Sequence, residues 1–169
     1  MSSVKNSEMT SYEPLLSHLK KKFSDIHDFE NLSRMLENWV QDPLNVKGVF
    51  MRVAGNFAGK EGSALTFKAR SGVSFSLKAF AKDAEGDERL FGLVDVIDDD
   101  PQKRWLSVCF YDELITDPEE RGNLIPEGLL GEDGYCFDLF EEDGPLMSYV
   151  NRKIDEAYIN VLRATEKIR

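Results

Sequence analysis

Histidine and cysteine are both scarce in this chain, and neither has the spacing that would give two residues a chemical role. The two histidines, His18 and His27, lie near the front of the sequence with no serine or cysteine motif beside either. No GxSxG, Walker or GxGxxG sequence occurs, so nucleophile elbows and phosphate-cradling loops lack their usual marks. Cys109 and Cys136 are far apart and belong to no CxxC or Cys/His set, which argues against zinc and dithiol redox chemistry. Both are expected to be reduced, partly buried thiols. Long apolar runs are missing too. The run around Leu93 and Val94 is far short of a bilayer span, and the opening "MSSVKNSEMTSYEP" has no hydrophobic core of signal type. The expectation is a cytoplasmic chain without membrane association.

The second half of the chain is short of positive charge. Residues 1–82 carry 12 Lys and Arg against 8 Asp and Glu, whereas residues 83–169 carry 9 against 23. The net charge of −10 is therefore concentrated after residue 82, which argues against nucleic acid as a partner because phosphate repels that half.

With 169 residues and 41% hydrophobic content, the chain is long enough for one domain that buries roughly two-thirds of its unfolded surface. Leu15, Leu16, Leu19 and Phe23 recur at helical spacing from about Tyr12 to Phe23, with Ser11 as candidate cap. A second helix begins after Asp28, repeats Leu32, Met35, Leu36 and Trp39, and stops at "QDP". The period then changes to two. In "SALTFKARSGVSFSLKAFAK", Leu65, Phe67 and Ala69 alternate with Thr66, Lys68 and Arg70. After the Ser71–Gly72 turn, Phe75, Leu77, Ala79 and Ala81 alternate with Ser74, Ser76 and Lys78, which predicts a β-hairpin with one apolar face. Further strands are expected at 48–54, 89–97, 105–111 and 135–140, joined by short polar turns that favour antiparallel neighbours. A closing helix from about Pro145 to Lys167, with Asp143 as cap, carries a continuous apolar stripe through Val150, Ile154, Tyr158 and Val161. The fold class is thus α+β in a single domain: an N-terminal helical pair, a curved, mostly antiparallel sheet of about six strands and a long C-terminal helix packed on it, with residues 1–10 expected to be flexible.

Three groups of residues are candidates for function. Lys68, Arg70, Lys78 and Lys82 share the polar side of the hairpin, and Phe80 breaks that polar alternation in their midst, so Lys68, Arg70, Lys78 and Phe80 are the first contact residues expected. Carboxylates at strand ends, Asp95, Asp112 and Asp138 among them, are the type of ligand that magnesium or calcium sites use, although "IDDDPQKR" is also a good turn and lacks the spacing of a calcium loop. The segment from Asp112 to Asp133 is acidic, yet it contains Leu124, Ile125, Leu129 and Leu130, which suit a lid folded onto the sheet better than a solvated linker. Leu129 and Leu130 complete the expected contact set.

No convergent catalytic group emerges, and no cofactor is implied. The leading expectation is a non-catalytic binding or protein-interaction domain that recognises a protein partner or small ligand through the sheet, the last helix and the 112–133 segment. A small-ligand or metal-dependent hydrolytic enzyme using strand-end carboxylates is the alternative, and an acidic mimic of nucleic acid is a third. Oligomeric state is left open.

Overall fold

A computed structural model describes residues 11–165. The expected flexibility of residues 1–10 and the expected reach of the last helix to Lys167 lie outside the described residues. Four helices and six strands follow in the order α1 (Glu13–Lys20), α2 (Ile26–Asn38), α3 (Val46–Gly59), β1 (Ala64–Arg70), β2 (Ser74–Lys82), β3 (Glu88–Ile97), β4 (Trp105–Tyr111), a 3-10 turn (Asp112–Leu114), β5 (Asn123–Leu129), β6 (Glu132–Leu139) and α4 (Gly144–Arg163). The strands form one antiparallel sheet in the order β1-β2-β3-β4-β6-β5, curved and unclosed.

The hairpin register follows the alternation in the sequence. Arg70 faces Ser74 and Phe67 faces Leu77. Leu65, Phe67, Phe75 and Leu77 point into the main core, where Val94, Val108, Phe137, Ile154 and Val161 join them. Between Ala79 and Phe80 the pairing with β3 shifts by one residue, so Phe91 becomes an extra residue in β3. The bulge sends Phe91 and Val94 to the helix side while Leu90 and Leu93 face the other way. Gly92 beside it leaves room for the Phe57 ring, since a Cβ there would come within 3.0 Å of that ring.

Residues 48–54, expected as a strand, belong to the helix α3. The physical reason is burial: ten of its residues are buried, so apolar side chains surround the helix and no 3.6-residue stripe survives to mark it. Its N-terminus is held by Asp42, whose carboxylate accepts from the Val46 amide at 2.7 Å and the Lys47 amide at 2.9 Å. The "QDP" that stops α2 therefore also starts α3. The Lys47 ammonium turns back to donate to the Leu36 and Trp39 carbonyls, satisfying the C-terminal end of α2. At the other end of α2 the cap is Asp25, which accepts from His27 N, so this helix begins earlier than its apolar repeat suggests. Asp143 caps α4 as expected, accepting from Leu146 N at 3.0 Å.

The 112–133 segment is not a lid. It contains the 3-10 turn, a turn built on Asp117 and the edge strand β5, which pairs with β6. Leu129 is buried, but Leu124, Ile125 and Leu130 are exposed, because an edge strand beyond the reach of the helices has nothing to cover its side chains. Order comes from polar contacts instead. The Asp117 carboxylate accepts from the Tyr149 hydroxyl at 2.6 Å and from the amides of Arg121 and Gly122. Burial works against its charge, yet those hydrogen bonds and the nearby Lys153 ammonium hold its pKa below the usual carboxylate value. Burial and the same bond push the Tyr149 hydroxyl up to about 12.

Cys109 and Cys136 stand directly opposite one another on β4 and β6 and are joined as a disulfide. The expectation of two free thiols rested on compartment. Compartment does not determine which residues a sheet register sets face to face, and 27 residues of separation hid the pair.

Candidate functional site

All four helices lie on one face of the sheet, since the helical members of the main core cluster pack against strand residues of a single parity. The opposite face is free of helices, and it carries Lys68, Arg70, Lys78 and Phe80 of the contact residues expected from the sequence, while Leu129 is buried in its small apolar cluster with Leu90, Leu93, Cys109 and Cys136. One row of this face runs across five strands as Lys68, Ser76, Asp95, Ser107 and Asp138. The next row runs Thr66, Lys78, Leu93, Cys109, Cys136 and Asn123. Positive residues thus sit on the β1–β2 side and carboxylates on the β3–β6 side of the same surface.

Asp95 hydrogen-bonds to the Ser76 hydroxyl. Burial raises its pKa, against the opposing pull of that bond and of the Arg70 and Lys78 charges. Burial alone raises Asp138. A carboxyl whose pKa rises on folding stabilises the fold fully below its unfolded value and loses that contribution as pH climbs through the folded one. Asp95→Asn, which imitates the protonated form, is therefore expected to raise the urea midpoint at pH 7 and to leave it unchanged near about pH 3, below the ordinary carboxylate range. Paired urea titrations at the two pH values check this, and an equal effect at both contradicts it.

The strand-end acids do not converge. Asp95 and Asp138 are separated by Ser107, and Asp112 follows the far end of β4. Among the described residues no group of three His, Cys, Asp or Glu side chains is placed to hold a metal ion.

The helix-free face ends in a half-open cavity of about 560 Å³. Phe80 and Leu90 of the sheet line it together with Tyr111, Glu113 and Leu114, the turn residue Leu130, Val161 of α4 and Ala164 just past the end of that helix. Leu130 reaches the cavity from the tight turn between β5 and β6, which it makes with Gly131, both at positive φ. The Ala84 amide donates to the Ala164 carbonyl, tying the end of α4 to the β2–β3 turn. That turn is built around Asp83, which takes the Glu85 and Asp87 amides on one oxygen and Arg89 Nε, at 2.6 Å, on the other. The Arg89 bond leads the causes that lower the pKa of Asp83.

No family profile, curated protein or solved structure matches this chain. The structure brings Phe80 and Leu130 together at the cavity, and it leaves Lys68, Arg70 and Lys78 farther along the same face. Sequence reasoning missed Leu90, Tyr111 and the Asp83–Arg89 pair. A signal for two of them was present, because antiparallel order alone sets the end of β2, the start of β3 and the end of β4 side by side. The end-to-end grouping of Phe80, Leu90 and Tyr111 follows from that.

Proposed function

We propose that this chain is a non-catalytic binding domain whose cavity takes a small ligand with an apolar body and a positive charge. The observation that carries this reading is the meeting of three separate parts of the chain, the sheet end, the last helix and the 112–133 segment, around one cavity of small-molecule size. Phe80, Leu90, Leu114, Leu130 and Val161 supply apolar wall. Asp87, Glu88 and Glu113 supply carboxylates, while the only cation of the lining among the described residues, Arg89, is already engaged by Asp83. A cation is favoured by that balance.

Calorimetric titration with octylammonium tests the reading. A single site is expected. Leu130→Ser should weaken it roughly tenfold, the order expected for losing much of one buried leucine contact, and Glu88→Gln should weaken it further in low salt than in high. Leu130 is exposed, so the first variant should fold as the parent does. Absence of binding heat, or heat indifferent to both substitutions, overturns the assignment. A second reading, an acidic protein segment laid on Lys68, Arg70, Lys78 and Lys82, is favoured by one observation: none of these four is in a salt bridge among the described residues. Poly-glutamate as titrant, with heat that disappears in high salt, is the signature of that case.

A further inference from the structure

The charges of the helix-free face are arranged so that the face complements itself. Its middle row reads Lys68, Ser76, Asp95, Ser107 and Asp138 across β1, β2, β3, β4 and β6, with β3 at the centre, a cation at one end and a carboxylate at the other. We propose that this face is an interface with a second copy of the chain, the two sheets packing face to face about a two-fold axis that runs along β3. Such an axis exchanges the two sides of the sheet and keeps each residue at its own height along the strands, so every position meets the one equally far from β3 on the second copy. Lys68 then meets Asp138 at both ends of the row, and Ser76 meets Ser107 between them. An axis across the strands does the opposite, because it lays the basic β1–β2 side of one copy on the same side of the other.

The end groups of the row are accessible and unspent. Lys68 is exposed and Asp138 half-buried, and neither is in a salt bridge among the described residues. The neighbouring row agrees with the same axis. Arg70 and Ser74 stand at its β1–β2 end and Trp105 on β4, with Phe140, one residue past β6, stacked on Trp105 at 5.0 Å between ring centroids. The axis lays Arg70 of one copy on this aromatic pair of the other, a favourable partner for a guanidinium, and covers Phe140, which is 56% exposed. Ile97, half-buried at the centre of that row, meets Ile97. The one like-charge meeting in these rows is Asp95 with Asp95 on the axis. Burial already raises the pKa of this carboxyl, and a proton shared between the two copies removes the repulsion. Five strands about 4.8 Å apart and about 20 Å long offer roughly 500 Å² per copy, or ~1,000 Å² for the pair, which is the lower limit for a specific interface. The dimer is therefore expected to be reversible.

Sedimentation equilibrium of the full chain over a range of concentrations tests the interface. A reversible equilibrium between monomer and dimer is expected, with no larger species. Lys68→Glu and Asp138→Lys should each, alone, weaken the dimer by roughly tenfold or more, since each sets like charges against one another at both ends of the row. Asp138→Lys makes a chain of net charge −10 less negative, so weakening by it cannot come from overall repulsion between copies. Mixing the two variants should restore dimerisation, because opposite charges then face one another at both ends. If Asp138→Lys fails to fold, Lys68→Glu and Asp138→Asn, each expected to weaken the dimer, still decide. A chain that stays monomeric at every concentration, a dimer indifferent to these substitutions, or two charge-reversed variants that stay apart when mixed each overturns the proposal. A dimer that ignores them and is lost on Ile125→Lys is paired along the β5 edge, which also overturns it. None of these outcomes depends on the cavity, which is probed by octylammonium calorimetry and Leu130→Ser.

Discussion

Asp98→Ala is expected to lower the unfolding free energy by about 3–5 kcal/mol, the range seen when one partner of a buried ion pair is removed and the other is left behind. Asp98 is buried and has three jobs. One carboxylate oxygen accepts from the Gly72 amide at 2.8 Å, the other from Arg104 Nε at 2.7 Å, and its own amide donates to the Val73 carbonyl. It therefore joins the β1–β2 turn to the β3–β4 turn through its side chain. Alanine would keep the backbone bond and lose both others, leaving the Arg104 guanidinium enclosed by Trp39 and Phe75 without a counter-charge. Asp99→Ala, one residue on and exposed, should stay within about 0.5 kcal/mol of the parent. Urea denaturation of the two variants side by side measures the contrast. Equal midpoints would mean that the pair contributes nothing net.

Opening the Cys109–Cys136 bond is the second change with a large expected effect. The bond closes a loop of 27 residues that includes β5 and the whole of the 112–133 segment. On the chain-entropy account, restraining a loop of that length in the unfolded state stabilises the fold by roughly 3–4 kcal/mol. The double replacement Cys109→Ser with Cys136→Ser, or reduction with a strong thiol, should lower the urea midpoint accordingly. Serine in the small apolar cluster with Leu90, Leu93 and Leu129 adds a further burial cost, so reduction is the cleaner comparison. Alkylation of the denatured, unreduced protein should add no label to either cysteine. Two added labels would show free thiols and contradict the bond.

These two cases also show where the sequence was readable. The β1–β2 hairpin, β4 and α4 were legible because the main core takes the apolar side chains of one face of each, and that face repeats at the period of the element. Helix α3 was not, because both its sides are buried and the period is erased. Strand β5 escaped notice because "NLIPEGL" contains the proline and glycine that ordinarily end strands, and its pairing is irregular between Ile125 and Leu129. The three consecutive acids Asp98, Asp99 and Asp100 are identical as letters. Only the fold separates the first, which is buried on an arginine, from the two that remain in solvent. Of the candidate site, Phe80 was visible as a break in alternation and Leu130 as an apolar residue in an acidic stretch.

The two edges of the sheet are unequal, and this limits how copies of the chain can add to one another. Along β1, the Leu65 amide is taken by the Lys22 carbonyl and the Phe67 amide by the Asp28 carboxylate, so an arriving strand would have to displace the α1–α2 connection. Among the described residues no such cover lies over β5, where Pro126 and the irregular pairing that follows it are the guard. Growth of a ribbon by strand addition requires every unit to offer two usable edges. Among the described residues this one offers a single edge, so assembly through backbone pairing on it stops at two chains, β5 against β5, with no third position to fill.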